Sequence, residues 1–191
     1  MSLTTIDNVK MYLNKESLTA LETMQINMLI NMVDGQIENY CGWAINAKTY
    51  TNKKVDGNGL AEIDLGVYPL NSLTKAEVDD GSGTIVNVLS DVNIKADEGI
   101  IYLDSNSATL TTFTSGTQNV TLTYNAGYST VPNDLMFAAT ELAALRFKRI
   151  VEENIGIVKE KFESDEVEYD KTDIPDAVKY ILNNYKRVFY R

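Results

Sequence analysis

The 191 residues include no histidine and a single cysteine, Cys41. Those two counts remove the usual general base near neutral pH, the commonest metal ligand, and both Cys–His and Ser–His nucleophilic catalysis. A redox pair is absent too, because Cys41 has no second thiol to close on. No Gly-x-x-x-x-Gly-Lys phosphate loop and no Gly-x-Ser-x-Gly elbow occurs. Carboxylates are plentiful, and a pair of them can transfer protons or hold a metal. The visible clusters are Asp56 with Asn58 and Asp79 with Asp80. Both fall in glycine-rich runs, where Asp and Asn are expected for the backbone turn itself. The run Asp56-Gly57-Asn58-Gly59 also lacks the later ligands and final Glu of a calcium loop. Asn119-Val120-Thr121 matches a glycosylation acceptor but falls in an expected strand, and reads as chance. The expectation is a protein without catalytic residues, metal or cofactor, and so not an enzyme.

The elements around these residues come in three blocks. Thr5 caps a short helix with Ile6, Val9 and Leu13 on one side, and Asn14 and Lys15 break it. Ser17 then caps a longer helix in which Leu18, Leu21, Met28, Val33, Ile37 and Tyr40 recur up to Gly42. Gly35 inside it costs ~1 kcal/mol relative to alanine, and predicts a kink or a close contact. Met24, Met28 and Met32 form a stripe on the same helix. Bordering Leu and Ile positions, they are expected to pack in the core; an adaptable partner-binding face is the alternative. Trp43 is expected to anchor a core or a domain junction.

From about Ala47 the pattern changes to short β-prone runs. Lys48 to Val55 and Leu60 to Leu65 flank Asp56-Gly57-Asn58-Gly59, a hairpin signal. Leu73 to Val78 and Thr84 to Leu89 flank a second, Asp79-Asp80-Gly81-Ser82-Gly83. Val92 to Ala96 pairs with Ile100 to Leu103, and Thr109 to Thr114 with Asn119 to Tyr124. The segment reads as an antiparallel sandwich or open barrel. Gly127 then ends the last strand, Pro132 presets a first helical turn, and a helix runs from about Asn133 to Val151. Its Ala138, Ala139, Ala143 and Ala144 admit a close backbone neighbour, from the same subunit or another. Arg146 and Arg149 lie on or beside its apolar face, with local acid partners the plainer expectation. Beyond it, Glu152 to Asp173 is acid-rich and poor in large apolar groups, which alone predicts a solvated or disordered loop. A terminal helix starts at Asp173-Ile174-Pro175-Asp176. The fold class is therefore α+β: a helical bundle of two N-terminal and two C-terminal helices, residues 1–46 and 129–191, with an antiparallel β module, 47–128, inserted.

Formal net charge is −10, which argues against nucleic acid as a tightly held ligand. Solubility is the plain reading of that charge, and an acidic wall also suits a conduit along which DNA slides without sticking. The N-terminus lacks the basic and apolar regions of a targeting signal, and no apolar run approaches the ~20 residues of a membrane span, so no membrane partner is expected.

Tyr124-Asn125-Ala126-Gly127-Tyr128, leading through Pro132-Asn133-Asp134-Leu135 into an Ala-rich helix, resembles the head-tail connector (adaptor) proteins of tailed bacteriophages. Ile37-Glu38-Asn39-Tyr40-Cys41-Gly42, the Val55-to-Gly59 turn, and Tyr68-Pro69-Leu70-Asn71-Ser72-Leu73 before Asp80-Gly81 fall in the family's order. The resemblance implies a structural virion protein made in the bacterial host cytoplasm. It would form a cyclic ring between the portal protein and a stopper or tail-completion protein, with DNA only as passing cargo. It makes Ala139, Ala143, Arg146 and Arg149 candidates for the subunit interface. The acidic stretch becomes a docking segment, through Ile155, Ile157, Glu163, Asp165, Glu166, Val167, Glu168, Tyr169 and Asp170. The rival reading is a small non-enzymatic β-containing module that binds a protein or carbohydrate in a pocket among Tyr50, Tyr68, Tyr102, Phe113 and Tyr124.

Overall fold

Thr5 opens the first helix, α1 (Ile6–Tyr12), by accepting the Asn8 N–H on Oγ1, and Asn14 ends the segment in a left-handed conformation. The second, α2 (Ala20–Cys41), starts two residues later than Ser17 predicts. Thr19 is the cap because Glu22 stands three residues beyond it. Thr19 Oγ1 accepts the Glu22 N–H at 3.2 Å while the Glu22 carboxylate accepts the Thr19 N–H at 2.8 Å, a reciprocal box. Lys15 adds an ion pair to Glu22 at 2.5 Å. Thr19→Ala is therefore expected to cost about 1 kcal/mol in urea denaturation, and Ser17→Ala less than about 0.5; equal effects would return the cap to Ser17.

The computed structural model describes residues 2–151, 159–162, 165–168 and 174–187. Among them are four α-helices and antiparallel sheets, an α+β fold. The chain divides into two compact units, Met1–Gly42 with Val131–Lys186, and Trp43–Thr130 with Arg187–Arg191.

In the first unit, α3 (Asn133–Val151) packs against α1, α2 and α4 (Asp176–Asn183). Its buried face is Leu135, Ala138, Ala139, Leu142, Ala143, Ala144 and Phe147, meeting Ile26, Leu29, Ile30, Val33 and Ile37 of α2 in one core. Two hydroxyls inside it satisfy each other: Thr4 Oγ1 lies 2.6 Å from Thr140 Oγ1, which donates to the Met136 carbonyl. The N-terminus is pinned to α2 by Asp34, whose carboxylate accepts from Ser2 Oγ and the Leu3 N–H.

The methionine stripe departs from its expected place in the core. Leu21, Met24, Met28 and Met32 keep between 44 and 70% of their surface exposed, because α2 already buries a separate aliphatic stripe, Ile26 to Ile37. Gly35 lies on the exposed side, and a Cβ built there would meet nothing within 4 Å.

In the second unit, β1 (Lys48–Gly57), β7 (Gly116–Ala126), β3 (Leu70–Asp79) and β4 (Ile85–Asn87) form an open sheet in the order β1-β7-β3-β4. The other sheet is β2 (Glu62–Asp64), β6 (Ile100–Leu103) and β5 (Val92–Lys95), ordered β2-β6-β5. Strand β7 alternates as its period predicts, with Val120, Leu122, Tyr124 and Ala126 buried. The pairs β3–β4 and β5–β6 follow the sequence reading, but two others do not.

Lys48 to Val55 does not form a hairpin with Leu60 to Leu65: β1 pairs with β7, and β2 with β6. Gly57 is there for close approach, since a Cβ would lie 1.9 Å from the Thr114 carbonyl oxygen. Thr109 to Thr114 is not a strand either. Asp91 accepts from the hydroxyls of Ser107 and Thr109, and Phe113 exchanges backbone hydrogen bonds of 2.8 Å with Leu60 and Gly59, which fixes an irregular path.

The acid-rich stretch also differs from the loop its composition predicts. It contains a hairpin of β8 (Lys159–Phe162) and β9 (Asp165–Glu168), with Lys159 opposite Glu168 and Lys161 opposite Glu166 in the register.

Candidate functional site

The carboxylate clusters serve the backbone, Asn58, Asp79 and Asp80 in local turns and Asp56 across to β7. Asp80 Oδ1 accepts the Ser82 N–H at 2.8 Å and the Ser82 hydroxyl at 2.7 Å, and these bonds, the hydroxyl's foremost, hold its pKa below the ordinary carboxylate value. Asp79 Oδ1 accepts the Gly81 N–H, Asn58 Oδ1 the Leu60 N–H, and Asp56 Oδ1 the Gln118 N–H. Among the described residues no three His, Cys, Asp or Glu side chains stand together as a metal site.

The aromatic residues of the rival reading are engaged in packing. Phe113 is fully buried, and Tyr124 is buried and stacked on Tyr50 across β1 and β7 at 4.9 Å. Tyr68 packs on Trp43 at 4.7 Å, and Lys95 sits over the Tyr102 ring.

Cys41 is buried at the end of α2, its thiol 3.9 Å from the Leu182 carbonyl oxygen. Burial pushes its pKa from 9.0 up to about 11, against the opposing charge of Lys186. We expect no labelling of native protein by a maleimide at pH 8 in the time that fully labels denatured protein. The pH dependence follows in sign. With the folded value raised, the unfolded chain loses the thiol proton first, so stability is intact below about pH 9 and declines as pH rises toward about 11. Cys41→Ala should remove up to about 3 kcal/mol of that decline, read as a shallower loss in urea midpoint. Part of the slope should persist, because burial also raises Tyr124 to about 12.

The candidate interface set divides by burial. Ala139 and Ala143 have no exposed surface, their small side chains packed inside the helical unit. Arg146 and Arg149 are part-exposed. The Arg146 guanidinium donates to the Gln36 side-chain oxygen and lies 3.7 Å from the Met32 sulfur, at the margin of the methionine stripe. Of the docking segment, Asp165, Glu166, Val167 and Glu168 form β9. Ile155, Ile157, Glu163, Tyr169 and Asp170 lie outside the described residues.

Sequence reasoning put the methionine stripe of α2 in the core and gave an exposed, adaptable face only as the alternative; the structure exposes it. The signal was present: Asn27, Asn31 and Asn39 lie among the methionines, while the aliphatic residues sit at a different helical phase.

Residues 2–188 match the model of the family described as HCP, head completion protein, and the chain belongs to that family. It is thus a structural component of the virion and not an enzyme. Similar chains occur in solved particles. One, in the neck of an empty gene transfer agent particle computed with C6 symmetry, has a TM-score of 0.63 at 16% identity, covering 99% of this chain and 92% of that one. Another, in the virion of a native gene transfer agent particle, has a TM-score of 0.53 at 15% identity, covering 100% and 96%. At such identities the likeness is one of fold. A comparison with curated proteins gave no match.

Proposed function

We propose that the protein forms a cyclic ring at the head–tail junction, between the portal and a stopper or tail-completion protein, with DNA passing through the lumen. The observation that carries this reading is the head completion family match across residues 2–188. The fold shared with a chain from a particle neck supports it. In this reading the helices act as one bundle, residues 1–46 with 129–191, and the strands of 47–128 form a module of their own. Head-to-tail contacts close the ring, and Arg146 and Arg149 face the neighbour. The segment from Ile155 to Asp170, including the β8–β9 hairpin, docks on the portal or tail side. A net charge of −10 keeps the lumen from holding DNA.

Light scattering of purified protein across concentration, alone and with portal, followed by electron microscopy, tests this. Rings with a central channel, or a stoichiometric portal complex, are the expected result. A chain that stays monomeric in both conditions would sink the proposal. Duplex DNA should bind no more tightly than nonspecifically at physiological salt.

A further inference from the structure

Among the described residues one sheet edge is long and the others are short. The edge strands β2, β4, β5, β8 and β9 have three or four residues each, whereas β1 runs for ten at the open side of the β1-β7-β3-β4 sheet. A short edge offers another chain few backbone groups to pair with, and a long one offers a full template. The composition of β1 suits pairing, since Thr49, Tyr50, Thr51 and Val55 favour extended backbone.

Two features of β1 oppose that pairing. Residues directly opposite in a ladder share a face, so the register sets a row running inward from Lys53 to Leu122 and Ala76. Leu122 and Ala76 are fully buried, and Tyr50 and Val55 lie on the same face, opposite buried Tyr124 and Val120. Lys53 is thus a charge in an apolar row, kept exposed by the open edge. Among the described residues it forms no ion pair. A strand added beside β1 would cover it and bury that charge unpaired. A second β1 would also bring Lys48, Lys53 and Lys54 near their copies, with no acid between positions 48 and 55.

The other feature is a bulge. Thr51 and Asn52 stand against Thr123 alone, and Asn52 takes φ +50°. It is pinned from both neighbouring strands: the Asn52 N–H donates to Thr123 Oγ1 at 3.0 Å, and Lys75 Nζ donates to Asn52 Oδ1 at 3.2 Å. The bulge bends the strand and divides its outer edge into residues 48–50 and 53–57, which one straight strand cannot follow.

We infer that inward-pointing Lys53, with the Thr51–Asn52 bulge, guards the β1 edge against strand addition by a second copy of this chain, so that copies meet through other faces. The inference stands apart from the ring proposed above and excludes β1 from the contacts of any such assembly.

Full-length Lys53→Val and Lys54→Val, compared with the wild type, test it. Each removes one positive charge from β1, but Lys54 lies opposite Thr121 on the other, part-exposed face. Light scattering across concentration should show Lys53→Val associating at least tenfold more tightly than the wild type, with Lys54→Val close to the wild type. Hydrogen exchange read by mass spectrometry should slow over residues 48–57 in the associated Lys53→Val. Adding Val55→Lys to Lys53→Val restores a charge on the inner face and should return association to the wild-type level. Equal association of Lys53→Val and Lys54→Val, no change in Lys53→Val, or no rescue by Val55→Lys would each overturn the inference. So would slowed exchange over 48–57 on assembly of the wild type, because the edge would then be in use.

Discussion

Phe147→Ala should cost about 3–5 kcal/mol, one of the two largest single losses expected of this protein. The ring is buried near the C-terminal end of α3, the helix that contacts all three others, and Lys15 lies over its face at 5.7 Å. The size of the effect follows from the neighbours. Ala138, Ala139, Ala143 and Ala144 bring backbones close but have no rotatable length with which to refill a cavity. Large side chains supply the remaining volume, and Phe147 is the largest buried residue of that helix. Urea denaturation followed by far-ultraviolet circular dichroism measures the loss. A change below about 1 kcal/mol would mean that the helical core closes over the gap and is looser than described here.

Gly127→Ala is the second. The glycine has φ +107°, and a Cβ would stand 2.6 Å from the Asn46 carbonyl oxygen, 2.7 Å from its carbon and 2.9 Å from the Ala47 nitrogen. All three are backbone atoms, so no side-chain rotation relieves the contact. The isolated parallel bridge between Asn46 and Tyr128 to which they belong is held by Ala47 N–H to Tyr128 O at 3.0 Å and Tyr128 N–H to Ile45 O at 2.8 Å. Strain at that φ costs about 1–3 kcal/mol, and each parted hydrogen bond about 1 more, giving about 3–5 kcal/mol. Trp43, the single tryptophan, packs 6.1 Å from the Tyr128 ring and reports the change by fluorescence. Gly81→Ala is the control: φ is +84° but no atom lies within 4 Å, so only the strain remains. Equal losses in the two variants would show that the backbone contact is unimportant.

Where neighbouring residues decide structure, the sequence was readable. The bounds of α3 follow from Pro132, from Asn133 and Asp134, and from the apolar face, and they agree with the structure. The β3–β4 and β5–β6 pairs follow from short turns. What failed depends on distant partners. Asp56-Gly57-Asn58-Gly59 has the residues of a hairpin turn, yet Gly57 answers to Thr114, more than fifty positions away. Thr109 to Thr114 has β propensity, but Asp91 takes its hydroxyls. Periodicity placed Met24, Met28 and Met32 on one stripe and could not say which of two stripes faced inward. For the candidate interface the same limit applied: small size made Ala139 and Ala143 suitable for any close contact, and both are buried within the helical unit of their own chain.

The last described residues bear on modularity. Lys186 sits over the Tyr40 ring in the helical unit, and the next residue, Arg187, belongs to the β unit, its guanidinium reaching toward the Leu65 carbonyl oxygen across Gly66. A Cβ at position 66 would fall 1.8 Å from that guanidinium. The strands are therefore not a cassette that residues 43–130 transfer whole. A chimaera that moved them onto another helical scaffold would carry a bare left-handed glycine without the cation that covers it. Positions 66 and 187, more than a hundred residues apart in the chain, have to be inherited or exchanged together.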